Sequence, residues 1–432
     1  MDVTASPLWH PCTQMKDHEE LPPLNVKSAK GSYLELADGR QVIDVISSWW
    51  CKNLGHGHPV LREALIQQAQ QLEHCMLASA THDAVQQLSQ KLTSLMPDLN
   101  KVTYASDGAC AVEMAMKMSI HSRQLLGQSQ RTKFMSLSGA YHGETCGALS
   151  VSDLGLYCEP YRPMMMAVDY IKDIPYVNSR QDPLWEDAQF FWERTKQQLE
   201  THANTLTAIV IEPILQAANG MKLYSADYLK RLNDWCMQHG IHLIADEIMT
   251  GCGRTGKMLA CEHAGITPDF VCLGKSLTGG WLPMSAVLTH DAIYDLFYDD
   301  YELGKSFLHS HTYSGNPLAA RVALAAFKVI ENEHLVSRAA SMETLLLNSM
   351  QEIADTTGQL RNVRGIGMVV AADLVNPNQR ARPGFEIFQR AIKQGLLLRP
   401  LGNTIYWVLP LNVTKSTIDD ILVKMKQIDW AI

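Results

Sequence analysis

The sequence predicts an α/β protein with a large, doubly wound mixed-sheet domain and a smaller α+β domain built by both chain termini. Three observations support this fold class. Short apolar runs alternate with helical segments from about residue 100 to 290. Strand-like runs and helices outside this alternation occupy both ends of the chain. Apolar residues make up 46% of 432 positions, enough for a large core. We expect residues 1–57 and 316–432 to form the small domain and 58–315 the large one.

The first elements are a hairpin and two helices. The runs 33–36 and 42–46 flank Asp38-Gly39, a pair common in hairpin turns. Pro59 suits the first turn of a helix, and a second helical pattern carries Val85 and Leu88 along one stripe. These segments predict a small β unit followed by helices that lead into the large domain.

Buried parallel strands are expected at the apolar runs 102–105, 134–137, 208–211, 242–245 and 270–273. The helical segments 185–202 and 227–238 separate some of them. After Asn316-Pro317, helices extend to about residue 354. The sequence then predicts strands near 367–374, 396–399 and 405–409, and a closing helix from Lys415. This order is typical of α/β followed by α+β organisation.

Composition argues against several classes of protein. With 37 basic and 45 acidic residues the net charge is −8, unlike the basic surface of a nucleic-acid binder. No apolar stretch approaches the ~20 residues that cross a bilayer, and the first 16 residues lack the pattern of a signal peptide. The ten cysteines form no C-x-x-C pair, so we expect a cytoplasmic, reduced protein. His309 and His311 are the best metal candidates but lack a third ligand, so no metal is expected.

The strongest chemical feature is a pair of charged residues at predicted strand ends. Asp246 ends one strand and Lys275 follows the next, where open α/β sheets place their ligands. Desolvation lowers the pKa of a lysine beside apolar residues and makes it a nucleophile toward carbonyl groups. Taken separately, each residue is more often a solvated loop charge. Together they fit a site for pyridoxal 5′-phosphate (PLP).

Further residues follow other predicted strands. Gly108 and Ala109 begin a helix whose free N–H groups suit a phosphate, although a single glycine before a helix is usually a plain connection. Tyr141 offers an aromatic face to a cofactor ring, or packs in the core. Glu212 is another strand-end carboxylate, but no His or Cys stands nearby at metal-ligand spacing.

One block of the sequence resembles the signature of the class III aminotransferases, which are PLP enzymes of fold type I. Its residues are Asp246-Glu247, Gly251, Arg254, Gly274-Lys275 and Gly279-Gly280. The resemblance extends from Trp9 to the last strands. It implies a transaminase with small-molecule amino donors and keto-acid acceptors, and a homodimer with active sites at the subunit interface.

The resemblance also implies roles for individual residues. Lys275 would bind the cofactor covalently and carry the substrate proton, and Asp246 would keep the cofactor's ring nitrogen charged. Tyr141 would pack on the ring, and Gly108 and Ala109 would form the phosphate turn. Relatives often carry a serine at position 109, so one hydroxyl contact is absent here.

Two more cofactor ligands are expected. Thr312 matches a phosphate ligand that reaches across from the other subunit, and Glu212 is a further carboxylate at a predicted strand end. The shared site is therefore expected to be incomplete in one chain.

Within the family, the Trp49-Trp50 pair and Arg399 resemble the branch that aminates 8-amino-7-oxononanoate in biotin biosynthesis. The tryptophans would wall the apolar chain of this acceptor, at about 25 cal/mol per Å² buried. Arg399 would clamp its carboxylate in bidentate fashion. Arg254 is also expected in the substrate site. Without the resemblance, the tryptophans fit a core cluster equally well and Arg399 fits a surface salt bridge.

Two positions bear on the substrates. Tyr406 stands where relatives that use 2-oxoglutarate carry an arginine, which argues against a dicarboxylate acceptor. Cys12 stands where enzymes that use S-adenosylmethionine typically carry a tyrosine. S-adenosylmethionine is the expected donor, with lysine as the alternative donor and another ω-amine transaminase as the alternative activity. A PLP-binding regulator is not expected, because the ~30 residues before the hairpin are too few and too poor in basic residues for a DNA-binding segment.

Overall fold

The computed structural model describes residues 6–375 and 382–431. Its centre is a seven-stranded sheet. In spatial order the strands are Lys101–Ala105, Ser285–Thr289, Phe270–Leu273, His242–Asp246, Leu206–Ile211, Lys133–Leu137 and Asp169–Ile171.

Six of these strands run in the same direction, and Ser285–Thr289 runs antiparallel to both of its neighbours. Every residue of the three strands at the middle of the sheet is buried. Helices therefore cover both faces of the sheet, as its uninterrupted apolar strands require. The predicted α/β class with a mixed sheet is confirmed. The antiparallel strand was not among the predicted ones.

Helices connect and cover these strands. They span Pro59–Ala69, Asp83–Thr93, Gly108–Leu125, Cys146–Ser150, Gly155–Cys158, Gln189–Glu200, Ala226–His239, Asp291–Phe297, Pro317–Asn332, Leu335–Thr357, Pro383–Lys393 and Lys415–Lys426. The helix expected over 185–202 begins at Gln189, because Pro183–Trp185 forms a separate 3₁₀ turn. Within the described residues, no helix combines the length and the hydropathy needed to cross a bilayer.

Three smaller sheets complete the fold. One is four-stranded, with Val26–Lys30, Tyr33–Leu36, Gln41–Asp44 and Leu396–Leu397. The others are three-stranded, with Leu360–Ile366, Val369–Leu374 and Thr404–Val408 in one, and Tyr176–Val177, Lys222–Tyr224 and Leu215–Gln216 in the other. Strand Gln41–Asp44 pairs in parallel with Leu396–Leu397, so residues from the two ends of the chain share one sheet. The domain boundaries near 57 and 315 stay a prediction.

The strand expected over 42–46 ends at Asp44. The next residues leave the extended conformation, and Ser47–Trp50 form a left-handed turn. This change of direction brings the paired tryptophans toward the functional site.

Candidate active site

The carboxyl ends of the central strands surround a cavity of about 280 Å³. Strands His242–Asp246 and Phe270–Leu273 are parallel neighbours, so Asp246 and the following Lys275 reach the same edge of the sheet. Most of the residues predicted to bind the cofactor line this cavity. They are Gly108, Ala109, Tyr141, Glu212, Asp246 and Lys275.

One end of the cavity is the start of helix Gly108–Leu125. The Asp107 side chain caps the helix by accepting from the Cys110 N–H at 3.0 Å. The N–H groups of Gly108 and Ala109 donate to none of the described residues, so two donors and the helix dipole remain for an anion. A Cβ at Gly108 would lie 2.8 Å from the Ile248 side chain, so a larger residue there would require Ile248 to shift. This end matches the predicted phosphate turn.

The opposite end contains the buried pair of His142 and Asp246. The Nδ1 of His142 lies 2.8 Å from the Asp246 Oδ2, and the Ile248 N–H donates to the Asp246 Oδ1 at 3.1 Å. The other ring nitrogen of His142 lies 3.3 Å from the Ser136 hydroxyl. The carboxylate is thereby oriented toward the cavity as a partner for a cationic ring nitrogen.

No role was expected for His142 from the sequence, although it adjoins Tyr141. Ile248, two residues after Asp246, also lines the cavity and was missed. Nothing in the sequence shows that a histidine 104 positions away contacts Asp246. The only available signal was its place directly after a predicted strand and Tyr141.

Lys275 lies in a strained turn directly after its strand, with φ of 39°. Its Nζ lies 5.3 Å from the centre of the Trp50 ring. Burial lowers the pKa of the Lys275 ammonium, although the charges of Asp246 and Glu212 oppose this effect. A larger fraction of the amine is therefore neutral and nucleophilic than in a solvated lysine.

Glu212 holds the backbone around Tyr141. Its two carboxylate oxygens accept from the N–H groups of Tyr141 and Ala217, each at 3.0 Å. Burial raises the pKa of Glu212 to about 7, and the neighbouring Asp246 adds to this while His142 opposes it. The Tyr141 hydroxyl donates to Glu144 at 3.0 Å. Glu212 thus fixes the position from which Tyr141 lines the cavity.

These residues fit PLP. The unpaired N–H groups at the helix start suit its dianionic phosphate, Asp246 suits its ring nitrogen, and the Lys275 amine suits its aldehyde. Tyr141 and Ile248 offer an aromatic and an apolar surface to its ring. Within residues 6–375 and 382–431, no group of three or more His, Cys, Asp or Glu side chains is arranged to bind a metal.

A second cavity, of about 740 Å³, adjoins this site. It is lined by residues expected to contact substrate, namely Cys12, Trp49, Arg399 and Tyr406. The half-buried Arg399 places its guanidinium carbon 4.7 Å from the centre of the Trp49 ring and donates to the Cys12 carbonyl at 2.7 Å. The Cys12 sulfur lies 3.3 Å from the Tyr157 hydroxyl.

Trp50 and Tyr406 lie at the boundary between the cavities. Trp50 lines the smaller cavity and Tyr406 the larger one, and the Trp50 Nε1 donates to the Tyr406 hydroxyl at 3.2 Å. Burial raises the pKa of Tyr406, so its phenol is neutral at physiological pH. The two rings meet edge to face.

A left-handed turn places both tryptophans. The φ angles of Ser47, Ser48, Trp49 and Trp50 are 49°, 43°, 69° and 72°. Each such residue costs about 1–2 kcal/mol. The buried Asp44 offsets this cost by accepting from the N–H groups of Ile46 and Ser48 at 3.2 and 3.1 Å, and from the Ser48 hydroxyl at 2.7 Å.

Two predicted site residues lie outside both cavities. Arg254 is fully buried, and its guanidinium donates to the backbone carbonyls of Leu409 at 2.5 Å and Trp50 at 3.1 Å. In this structure it supports the backbone behind the site, and its predicted contact with substrate stays a prediction. Thr312 is exposed, and its predicted role from a partner subunit stays a prediction.

Comparison with known proteins agrees with this site. The model of the family "Aminotransferase class-III" matches residues 14–428. The chain therefore belongs to the class III aminotransferases. It is a PLP-dependent transaminase that acts on small-molecule amino donors and acceptors, which confirms the predicted fold type, enzyme class and cofactor.

Similar proteins include adenosylmethionine-8-amino-7-oxononanoate aminotransferases. The one from Helicobacter pylori is 40% identical over 415 residues, which cover 95% of this chain and 93% of the relative. The crystal structure of the Methanocaldococcus jannaschii protein of that name has a TM-score of 0.90 at 31% identity, covering 98% and 97% of the two chains. An amine transaminase from an uncultivated Pseudomonas species, in its PLP-bound form, also has a TM-score of 0.90, at 30% identity over 98% of both chains.

Proposed function

We propose that this chain transfers an amino group from S-adenosylmethionine to 8-amino-7-oxononanoate, giving 7,8-diaminononanoate for biotin biosynthesis. The names of the relatives at 40% and 36% identity support this activity. The observation that carries it is Arg399 stacked on Trp49 in a large cavity next to Lys275. An arginine cation in an aromatic-walled cavity suits an acceptor with an apolar chain and a terminal carboxylate.

The acceptor is bound by shape and by charge. Trp49 and Tyr406 line the larger cavity and provide an apolar surface for the hydrocarbon chain of the acceptor. One Nη of Arg399 donates to the Cys12 carbonyl, which fixes the guanidinium and leaves its other N–H groups for the carboxylate. The reacting carbonyl then lies toward Lys275, past the Trp50–Tyr406 boundary.

Bound PLP supplies an aldehyde that takes up the amino group and a ring that withdraws electrons. The chain supplies the proton chemistry. With PLP bound, the Lys275 Nζ would take the proton from the carbon of the amino donor and deliver it to the cofactor carbon that carried the aldehyde, and it would move a proton the opposite way for the acceptor. The Asp246 carboxylate, oriented by His142, would keep the ring nitrogen protonated. Tyr141, whose N–H donates to Glu212, would pack on the ring.

A homodimer with shared sites is part of the proposal. The segment 298–313 exposes large apolar and aromatic side chains, among them Tyr298, Tyr301, Leu308 and Tyr313. Clusters of exposed apolar side chains are typical of protein interfaces. Thr312 lies in this segment and would complete the phosphate site of the partner. The cytoplasmic location stays a prediction.

The amino donor is the part of the proposal that is easiest to test. The purified PLP form is mixed separately with S-adenosylmethionine, with lysine and with a panel of simple amines, and the loss of the cofactor's visible absorbance is followed. We expect S-adenosylmethionine to convert the cofactor and 8-amino-7-oxononanoate to restore it. Conversion by lysine alone would reassign the donor, in keeping with Cys12.

A general amine transaminase is the second candidate, because a protein of that name is structurally as similar as the M. jannaschii protein. In the same assay it would turn over simple amines with pyruvate and leave the amino-oxononanoate unused. That result would overturn the proposed acceptor without changing the enzyme class.

A further inference from the structure

The paired tryptophans reach their places through an unusual backbone. We propose that Asp44 and the left-handed backbone at Ser48 are positioning elements, which hold the turn Ser47–Trp50 and thereby set the affinity for the keto-acid acceptor. The inference rests on the proposed function, because it takes Trp49 to be a wall of the acceptor cavity. It adds a means by which residues outside both cavities control substrate specificity.

The two aromatic rings of the turn, those of Trp49 and Trp50, contact different residues. The Trp50 ring meets Tyr406 and lies near the Lys275 amine, whereas the Trp49 ring lies under the Arg399 guanidinium. In an extended strand, neighbouring side chains point to opposite faces of the sheet. The left-handed turn instead lets both rings contact residues that line the two adjoining cavities.

Buried hydrogen bonds hold both ends of the turn. At its start, Asp44 accepts from the Ile46 N–H, the Ser48 N–H and the Ser48 hydroxyl, and the His56 Nε2 lies 2.9 Å from the same carboxylate. The Ser47 hydroxyl donates to the Val408 carbonyl at 2.6 Å. At its end, Arg254 donates to the Trp50 carbonyl. These bonds favour a conformation that none of the four side chains prefers.

Asp44 and Ser48 line neither of the two cavities. Any effect of these residues on acceptor binding must therefore pass through the turn. If the turn relaxes, Trp49 moves from beneath Arg399, and both the apolar wall and the carboxylate clamp are displaced together. Acceptor binding then weakens, while Lys275 stays on its own strand end.

Two substitutions at one position test this mechanism. Ser48→Gly and Ser48→Val both remove the hydroxyl that donates to Asp44, so they are matched in the lost hydrogen bond. They differ in the backbone, since glycine adopts a φ of 43° freely and a β-branched residue hardly at all. A role for the hydroxyl alone would make the two variants equal.

In steady-state kinetics of the PLP-loaded enzyme, we expect Ser48→Val to raise the KM for the keto acid about tenfold with kcat within about threefold of wild type. Ser48→Gly should stay within about threefold of the wild-type KM. Equal KM values for the two variants, or a wild-type KM for Ser48→Val, would overturn the inference. If Ser48→Val does not fold, Ser48→Ala replaces it, and a KM no higher than that of Ser48→Gly is the contradicting result.

Hydrogen–deuterium exchange provides a readout that needs no substrate. Peptides covering residues 44–55 should exchange faster in Ser48→Val than in Ser48→Gly, with the central sheet unchanged. Asp227→Ala is the control and should leave the exchange of these peptides unchanged. Asp227 also accepts hydrogen bonds from a backbone N–H group and from an arginine side chain, but it lies away from both cavities. Should the wild type not use the keto acid at all, the proposed function fails, while the exchange data still decide whether Ser48 holds the turn. Unchanged exchange in Ser48→Val would contradict that role.

Discussion

The two cavities of the site are built in different ways. The cavity of about 280 Å³ is formed by residues at the carboxyl ends of neighbouring strands of one sheet, and its key side chains are buried. The cavity of about 740 Å³ is lined by segments that are far apart in the chain, from His10 to Tyr406, and its Trp49 is 42% exposed. The chemistry thus depends on a rigid sheet, whereas substrate choice depends on a turn and on segments from both chain ends. Substitutions in the two regions should affect kcat and KM differently.

The largest effect is expected at Lys275. Lys275→Ala removes both the amine that binds the cofactor and the base that moves the proton, so turnover should fall by at least about a thousandfold. Circular dichroism should show a folded protein. Lys222→Ala is the control, because burial also lowers the pKa of Lys222 but it lies outside both cavities, and it should retain activity. Transamination by Lys275→Ala would disprove its assigned role.

A smaller loss is expected when the cofactor's charge partner is changed. Asp246→Ala leaves a cationic ring nitrogen without its buried partner, at a cost of about 3–5 kcal/mol, which corresponds to about 150- to 5,000-fold in kcat. His142→Leu keeps the carboxylate but loses its orientation, so kcat should fall only about tenfold. Half-reaction rates measured by absorbance give both numbers. Equal losses in the two variants would contradict the separate roles of charge and orientation.

The acceptor cavity should respond mainly in KM. Arg399→Ala removes charge-assisted hydrogen bonds and should raise the KM for the keto acid about 10- to 100-fold. The KM for the amino donor should change less. Arg382→Ala serves as the control, because Arg382 lines the same cavity but pairs with Asp17. An equal rise in both KM values for Arg399→Ala would argue against a carboxylate clamp.

The smallest effect concerns stability and pH. The pKa of Glu212 is about 7 in the folded chain and 4.5 as its ordinary value. Between these values the unfolded chain releases the proton while the folded chain keeps it. The free energy of unfolding should therefore fall by up to about 3 kcal/mol as the pH rises from 4.5 to 7, and then stay level.

Glu212→Gln should lose this pH dependence. Thermal unfolding of both proteins after removal of the cofactor, at pH 5 and pH 7.5, measures the difference. The melting temperature of the wild type should drop by a few degrees more than that of Glu212→Gln over this range. Parallel shifts in the two proteins would mean that Glu212 is already ionised at pH 5.

The cofactor side could be predicted from the sequence because its signals are local. Asp246 and Lys275 each follow an apolar run, and Gly108 begins a helix, so strand order alone brings them to one edge of a sheet. Tyr141 and Glu212 follow the same rule. The α/β class was predicted for the same reason, since buried parallel strands have continuous apolar sequences.

The remainder depends on contacts between distant residues. The hydrogen bond between His142 and Asp246 joins positions that no local pattern connects, and the Arg399 contact with the Cys12 carbonyl joins the two ends of the chain. Arg254 was expected in the substrate site, and no local pattern indicates that its guanidinium donates to the Leu409 and Trp50 carbonyls. Four consecutive residues with positive φ, none of them glycine, also leave no sequence signal.

The central claim is that the Lys275 amine carries the cofactor. The purified PLP-containing protein is treated with borohydride, digested and sequenced by mass spectrometry. We expect the mass of the reduced cofactor on Lys275 and on no other lysine. A cofactor mass on a different residue, or on none, would contradict the assignment of both the site and its chemistry.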